Sequence, residues 1–205
     1  MSPRSGSGPP YRRVSGEATR KQLLVFVEGL KTEERYLIHW YRSNRDRVLV
    51  RIDLFRGTPL QLVQHAVDAQ RQERRDERRG RGRAYDEIWC MFDVDVHPNI
   101  PDARDLARRH DIHLAVSNPC LELWFILHFE DRTAWIDRRE AQRRSEELLG
   151  CSKILTDNAL SELFERYGEA ATRAEQLDRK HQGDGSPPGE NPSSSVRHLV
   201  YSIAP

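Results

Sequence analysis

Four acids stand where chemistry is done in an α/β protein. Glu28 follows the apolar run Leu23-Leu24-Val25-Phe26-Val27, and Asp93 and Asp95 close the run Ile88 to Phe92. Glu122 opens an otherwise apolar stretch, Leu121-Glu122-Leu123-Trp124-Phe125. Carboxylates crowded together repel, and stay ionised only beside a cation. An oxygen-only set of this kind suits Mg²⁺ or Mn²⁺, which take one or two carboxylates together with water and substrate phosphates. Such an ion lowers the pKa of bound water and stabilises charge on a transferring phosphoryl group. Asp93 and Asp95 at i, i+2 of an extended segment point the same way, so both can face one metal. Each acid taken alone is more simply a cap or a turn acid. The joint pattern favours a metal site, and Glu122 most of all, since a charge among apolar neighbours is costly without a partner.

The elements that must position these acids can be read from local pattern. Leu23–Val27 and Ile88–Phe92 are continuous apolar runs, as in strands buried on both faces. Val48 to Phe55 alternates, with Val48, Val50, Ile52 and Leu54 on one side, and Ile112 to Val116 reads as a fourth strand. Thr32 is placed to cap a helix through Tyr36, Leu37 and Trp40. Thr58-Pro59 begins another, which runs charged to Arg79 and breaks at Gly80 and Gly82. Pro101 to His110 predicts a short helix and Pro119 to Phe129 a buried one. Asp137 caps a helix that ends at Gly150, and one long charged helix is predicted from Asn158 or Ala159 to His181. Gly183 to Pro192 reads as a linker and Ser194 to Ile203 as a last helix. The order β-α-β-α-β-α-β followed by helices implies an α/β fold with a mostly parallel sheet flanked by helices and a helical C-terminal part. In such sheets ligands bind beyond the carboxyl ends of the strands, which is where the acids fall. The phosphate-cradle signatures G-x-x-x-x-G-K-[ST] and G-x-G-x-x-G are absent.

These residues also carry a resemblance. Val25-Phe26-Val27-Glu28-Gly29 followed by Thr32-Glu33 resembles the first motif of Toprim domains, and Phe92-Asp93-Val94-Asp95 their Asp-x-Asp motif. Glu28-Gly29-x-x-Thr32-Glu33-x-x-Tyr36, Ser117-Asn118-Pro119-Cys120-x-Glu122-x-Trp124 with Leu127-His128-Phe129, and Asn191-Pro192-Ser193 together resemble the RloB family, over about residues 22 to 203. The resemblance implies a Toprim-like sheet and a Mg²⁺-dependent (or Mn²⁺-dependent) endonuclease. It further implies a place in bacterial anti-phage defence or abortive infection, often beside an ATPase partner. Carried over, it makes Glu28 the base or first metal contact, Asp93 and Asp95 the metal ligands, and Glu122 a member of the same pocket. His97, just beyond, is placed to touch a phosphate or leaving group, a plain surface-loop histidine being the simpler account. Lys153, at a helix break, could reach a scissile phosphate, although such a lysine is more often only exposed.

The 205 residues carry 33 Lys+Arg and 32 Asp+Glu, a net charge of +1, with 37% hydrophobic and 32% charged residues. The cancellation hides a local division. Residues 71–83 hold Arg71, Arg74, Arg75, Arg78, Arg79, Arg81 and Arg83 against three acids. An N-terminal arm holds Arg4, Arg12, Arg13, Arg20 and Lys21 against Glu17. Both suit phosphate contact, and the first equally suits a solvated helix end laced with i, i+4 pairs. No interleaved aromatics suggest sequence-specific readout there. Three scattered cysteines, Cys90, Cys120 and Cys151, support neither a disulfide framework nor a thiolate zinc site. No apolar stretch approaches the roughly 20 residues of a membrane helix, and Met1 to Arg20 lacks a signal-peptide core, so a cytoplasmic protein is expected. The expected organisation is a disordered basic arm (1–21), a Toprim-like core (22–130) and a helical extension packed on it (131–205). The functional expectation is phosphodiester hydrolysis of RNA, tRNA included, or DNA. The alternatives are a non-catalytic nucleic-acid- or partner-binding subunit of an ATPase complex, and nucleotidyl transfer of the primase type.

Overall fold

The computed structural model describes residues 20–29, 31–94, 97–152 and 154–204. The arm up to residue 19, Asp95 and Lys153 lie outside the described residues. Five strands form one sheet in the order β2-β1-β3-β4-β5. They are β1 (Lys21–Val27), β2 (Val48–Ile52), β3 (Glu87–Asp93), β4 (His113–Asn118) and β5 (Ser193–Ser194). The first four run parallel, and β5 lies antiparallel to β4 with Ser117 opposite Ser194.

The continuous apolar runs are explained by two cores, one on each face. Leu23, Val25 and Val27 of β1 pack with Tyr36, Leu37 and Trp40 of α1 (Thr32–Asn44) and with the buried face of α4 (Leu121–Leu127). Leu24 and Phe26 face the other way, onto Leu62, Val63 and Ala66 of α2 (Pro59–Arg78) and Ala103 and Ala107 of α3 (Ile100–His110). With side chains alternating across a strand, burial on both faces leaves no position for a polar residue. The chain leaves β1 through α1 on one face toward β2, and leaves β3 through α3 on the opposite face toward β4. The order therefore reverses between β1 and β3. That opens a crevice at their carboxyl ends, the place where such folds bind ligands.

Both predicted caps of one later helix are present. Asp137 accepts the Glu140 N–H at 2.9 Å at the start of α5 (Arg138–Leu149), and Gly150 ends it at φ 62°. Four details differ from expectation. Lys31, not Thr32, occupies the position before α1, because the helix already includes Thr32. The second strand ends at Ile52 rather than Phe55: the Asp53 carboxylate takes the Phe55 N–H at 2.8 Å, turning the chain and leaving Leu54 88% exposed. The single long helix is two, α6 (Asp157–Glu165) and α7 (Tyr167–Gly183), parted at Arg166. The two halves pack on different elements, α6 on α1 and α7 on α4. The last helix, α8 (Val196–Ile203), starts two residues late because Ser193 and Ser194 join the sheet. That strand has no apolar alternation to reveal it and is held instead by Ser117 Oγ against Ser194 Oγ at 2.9 Å. No helix among the described residues is long and apolar enough to cross a membrane.

Candidate active site

Glu28 is the first residue past β1. Its N–H donates to the Met91 carbonyl at 3.1 Å, so its backbone still follows the β1–β3 register. Its carboxylate then turns across the strand ends. Oε2 accepts the Asp93 N–H at 3.3 Å, and Oε1 lies 2.8 Å from His97 Nε2. Asp93 closes β3, so its position is fixed by pairing with Ser117 on the next strand. The Glu28 and His97 side chains are each a little over a quarter exposed, and so reachable from solvent.

Beside them opens a cavity of about 360 Å³ lined by Glu33, Asp93, Glu122, Lys31 and Arg138. Glu33 enters it from the first turn of α1, with Oε1 accepting the Gly29 N–H at 3.1 Å. Glycine at 29 permits this approach, because a Cβ there would run into the Glu33 carboxylate. Glu122 enters from the first turn of α4, the one residue of Leu121–Leu127 that is not buried. Arg138 enters from the start of α5.

The electrostatics follow from this crowding. Burial holds the Asp93 carboxyl well above the usual range, and the charges of Glu122, Glu33 and Glu28 push it further up, with Arg138 opposing. Burial likewise raises Glu33, again with Glu122 and Glu28 adding to it, while the backbone bonds it accepts pull it down. The Cys120 thiol is pushed up by burial and by Glu122. Four carboxyl groups thus feel one another at the head of the sheet, with the Arg138 charge opposing them at Asp93.

The structure brings together Glu28, Asp93 and Glu122 of the expected acids and adds His97. Glu33, Arg138 and Lys31 were not expected as site residues. Glu33 did leave a trace, as part of the Glu28-Gly29-x-x-Thr32-Glu33 string. Arg138 left none, since it comes from a helix 45 residues beyond Asp93 in the chain. Among the described residues no group of three or more His, Cys, Asp or Glu side chains stands ready to hold a metal ion. The donor set nevertheless fits a hard divalent cation, being all oxygen, partly enclosed and electrostatically strained without one.

The arginine-rich segment lies elsewhere. Arg71, Arg74, Arg75, Arg78, Arg79, Arg81 and Arg83 are all exposed. They end α2 and lead into Glu87, the first residue of β3, whereas Asp93 is its last. Six residues of strand separate the two ends by about 20 Å. The basic cluster and the acids therefore occupy opposite ends of the sheet. No curated protein and no solved structure matches the chain. The model of the family described as RloB-like protein matches residues 23–203, from the third residue of β1 to the end of α8, and the chain therefore belongs to the RloB-like family.

Proposed function

We propose that this chain is a Mg²⁺- or Mn²⁺-dependent endonuclease that hydrolyses phosphodiester bonds of nucleic acid. The convergence of Glu28, Asp93 and Glu122, joined by Glu33, at the switch point between β1 and β3 carries the reading. Asp93, with Glu33 and Glu122 beside it, would hold the ion, and Asp95 adjoins them in sequence. The ion would supply charge neutralisation for the acids and for a phosphate undergoing displacement. Glu28 is the group set to take a proton from an attacking water. Its Oε1 is held against His97 Nε2 and its Oε2 against the Asp93 N–H, so the carboxylate is oriented before substrate arrives. His97, bonded to Glu28 and itself partly exposed, is placed to meet a phosphate oxygen or the leaving group. Arg138 and Lys31 add positive charge to the cavity wall, as a phosphate requires.

The resemblance to Toprim nucleases and membership of the RloB-like family support a role in anti-phage defence with an ATPase partner, on RNA, tRNA included, or DNA. The test is incubation of purified protein with tRNA, single-stranded DNA and duplex DNA, with Mg²⁺ or with EDTA. Cleavage that needs Mg²⁺ and is lost in Glu28→Gln and Asp93→Asn is the expected result. Cleavage retained by a folded Asp93→Asn protein overturns the reading. Binding that survives EDTA with no product under any condition replaces it with a non-catalytic binding subunit.

A further inference from the structure

A second cavity, of about 590 Å³, opens alongside α1 and against the start of α6. Lys31 lines both it and the carboxylate cavity, so one side chain borders the two. The side chains of α1 that line it are Arg35, Ile38, His39 and Arg42, together with Glu34. From Lys31, the steps to Arg35, His39 and Arg42 are four, four and three residues, which keeps all of them on one helical face. At 1.5 Å per residue the basic stripe runs about 16 Å from the acids toward the far end of α1.

Its charge is less cancelled than it looks. Lys31 and Arg42 are exposed. Glu34 is turned toward Arg56, 3.7 Å away. Arg35 bonds Asp157 at 2.8 Å, but Asp157 is 96% exposed, and an exposed pair of this kind contributes little and yields to a better anion. The His39 ring lines the groove, backed edge to face at 5.7 Å by the ring of Phe164. Cations spaced along a concave track with an aromatic edge beside them are what a flexible polynucleotide strand needs: charge for phosphates, rings for bases. A duplex, wider and stiffer, fits a flat basic face better than a cleft between two helices.

We infer that a single nucleic-acid strand lies along this groove, its phosphates on Lys31, Arg35 and Arg42, and that α1 feeds it into the carboxylate cavity. The arginine-rich end of α2 plays no part in that path. The inference rests on the nuclease reading, and its test is kept separate from cleavage. A fluorescein-labelled decamer, as RNA and as DNA, is titrated in EDTA at several salt concentrations, and binding is read by anisotropy. The Lys31→Ala/Arg42→Ala double variant is expected to weaken binding by about tenfold or more. It should also lower the slope of log affinity against log salt by about 1.4, two phosphate contacts at about 0.7 each. Asp157→Asn, which removes the competing acid, is expected to tighten binding several-fold, an effect a merely structural Asp157 would not give. Arg75→Ala/Arg79→Ala is expected to bind as the unsubstituted protein does. Loss of affinity in that variant and not in Lys31→Ala/Arg42→Ala overturns the groove while leaving Mg²⁺-dependent cleavage untouched. Tighter binding of a duplex than of the single strand also overturns it. A protein that binds no oligonucleotide and cleaves none removes both readings together.

Discussion

His97 Nε2 stands 2.8 Å from Glu28 Oε1, across the carboxyl ends of β1 and β3. The pairing orients Glu28 through one oxygen while the Asp93 N–H holds the other. Glu28→Gln is expected to reduce cleavage by about 10³-fold or more, and His97→Ala by about 10- to 100-fold, the usual range for losing a proton-transfer group and its orienting partner. Rates measured with thermal melts alongside check this. A His97→Ala protein with an unchanged rate would show that the contact is incidental.

Asp93 carries a cost that a neutral side chain would not. Its carboxyl sits enclosed among Glu122, Glu33 and Glu28. The folded state therefore prefers it protonated, and stability is lost as pH rises through the carboxylate range. Asp93→Asn is expected to raise the stability of the metal-free protein at pH 7 by about 1 kcal/mol or more. The same variant should lose most of the added stability that Mg²⁺ gives the unsubstituted protein. Melting curves in EDTA and in millimolar Mg²⁺ decide it. A variant destabilised in EDTA, or still stabilised fully by Mg²⁺, contradicts the account.

Tyr36 and Trp124 tie α1 to α4. The Trp124 indole N–H donates to the Tyr36 hydroxyl at 2.7 Å, and both residues are buried. Glu33 and Glu122 ride on the first turns of these two helices, so the bond sets how the acids face each other. Tyr36→Phe leaves the indole N–H without that acceptor and is expected to cost about 1–3 kcal/mol. Urea denaturation followed by tryptophan fluorescence measures it. A cost near zero would mean that the two helices are held by apolar packing alone.

His128 predicts an acid-side weakness. It is fully buried, with Nδ1–H donating to the Trp124 carbonyl at 2.8 Å, and burial lowers its pKa from 6.5 to about 3. Between those values the unfolded chain takes up a proton that the folded one refuses. Stability thus falls as pH drops below about 6, by up to about 1.4 kcal/mol per pH unit. His128→Gln lacks this term, so its urea midpoint should change less than that of the unsubstituted protein between pH 7 and pH 5. Comparing the two removes the opposite contribution of the raised carboxyls. Equal changes would dismiss the assignment.

Local pattern alone is enough for the strands and caps. Runs such as Leu23–Val27 and Ile88–Phe92 carry their own burial pattern, so the strands and the acids at their ends were legible, as were the caps at Asp137 and Gly150. Where such signals are weak, local pattern misplaces the elements. The two-residue strand β5 has no alternation, and the break at Arg166 depends on what α6 and α7 each pack against. The company the acids keep is set by packing. Strand order places Glu28 beside Asp93, and helix packing swings Glu33, Glu122 and Arg138 into one cavity from three separate helices. It also separated the charges that the sequence left unplaced. The arginines of 71–83 stand at the far end of α2, while Lys31, Arg35 and Arg42 lead away from the acids along α1. The reason is physical: patterning is written in neighbours a few residues apart, but electrostatics acts through space, and only the packed sheet says which end of a helix meets which end of a strand.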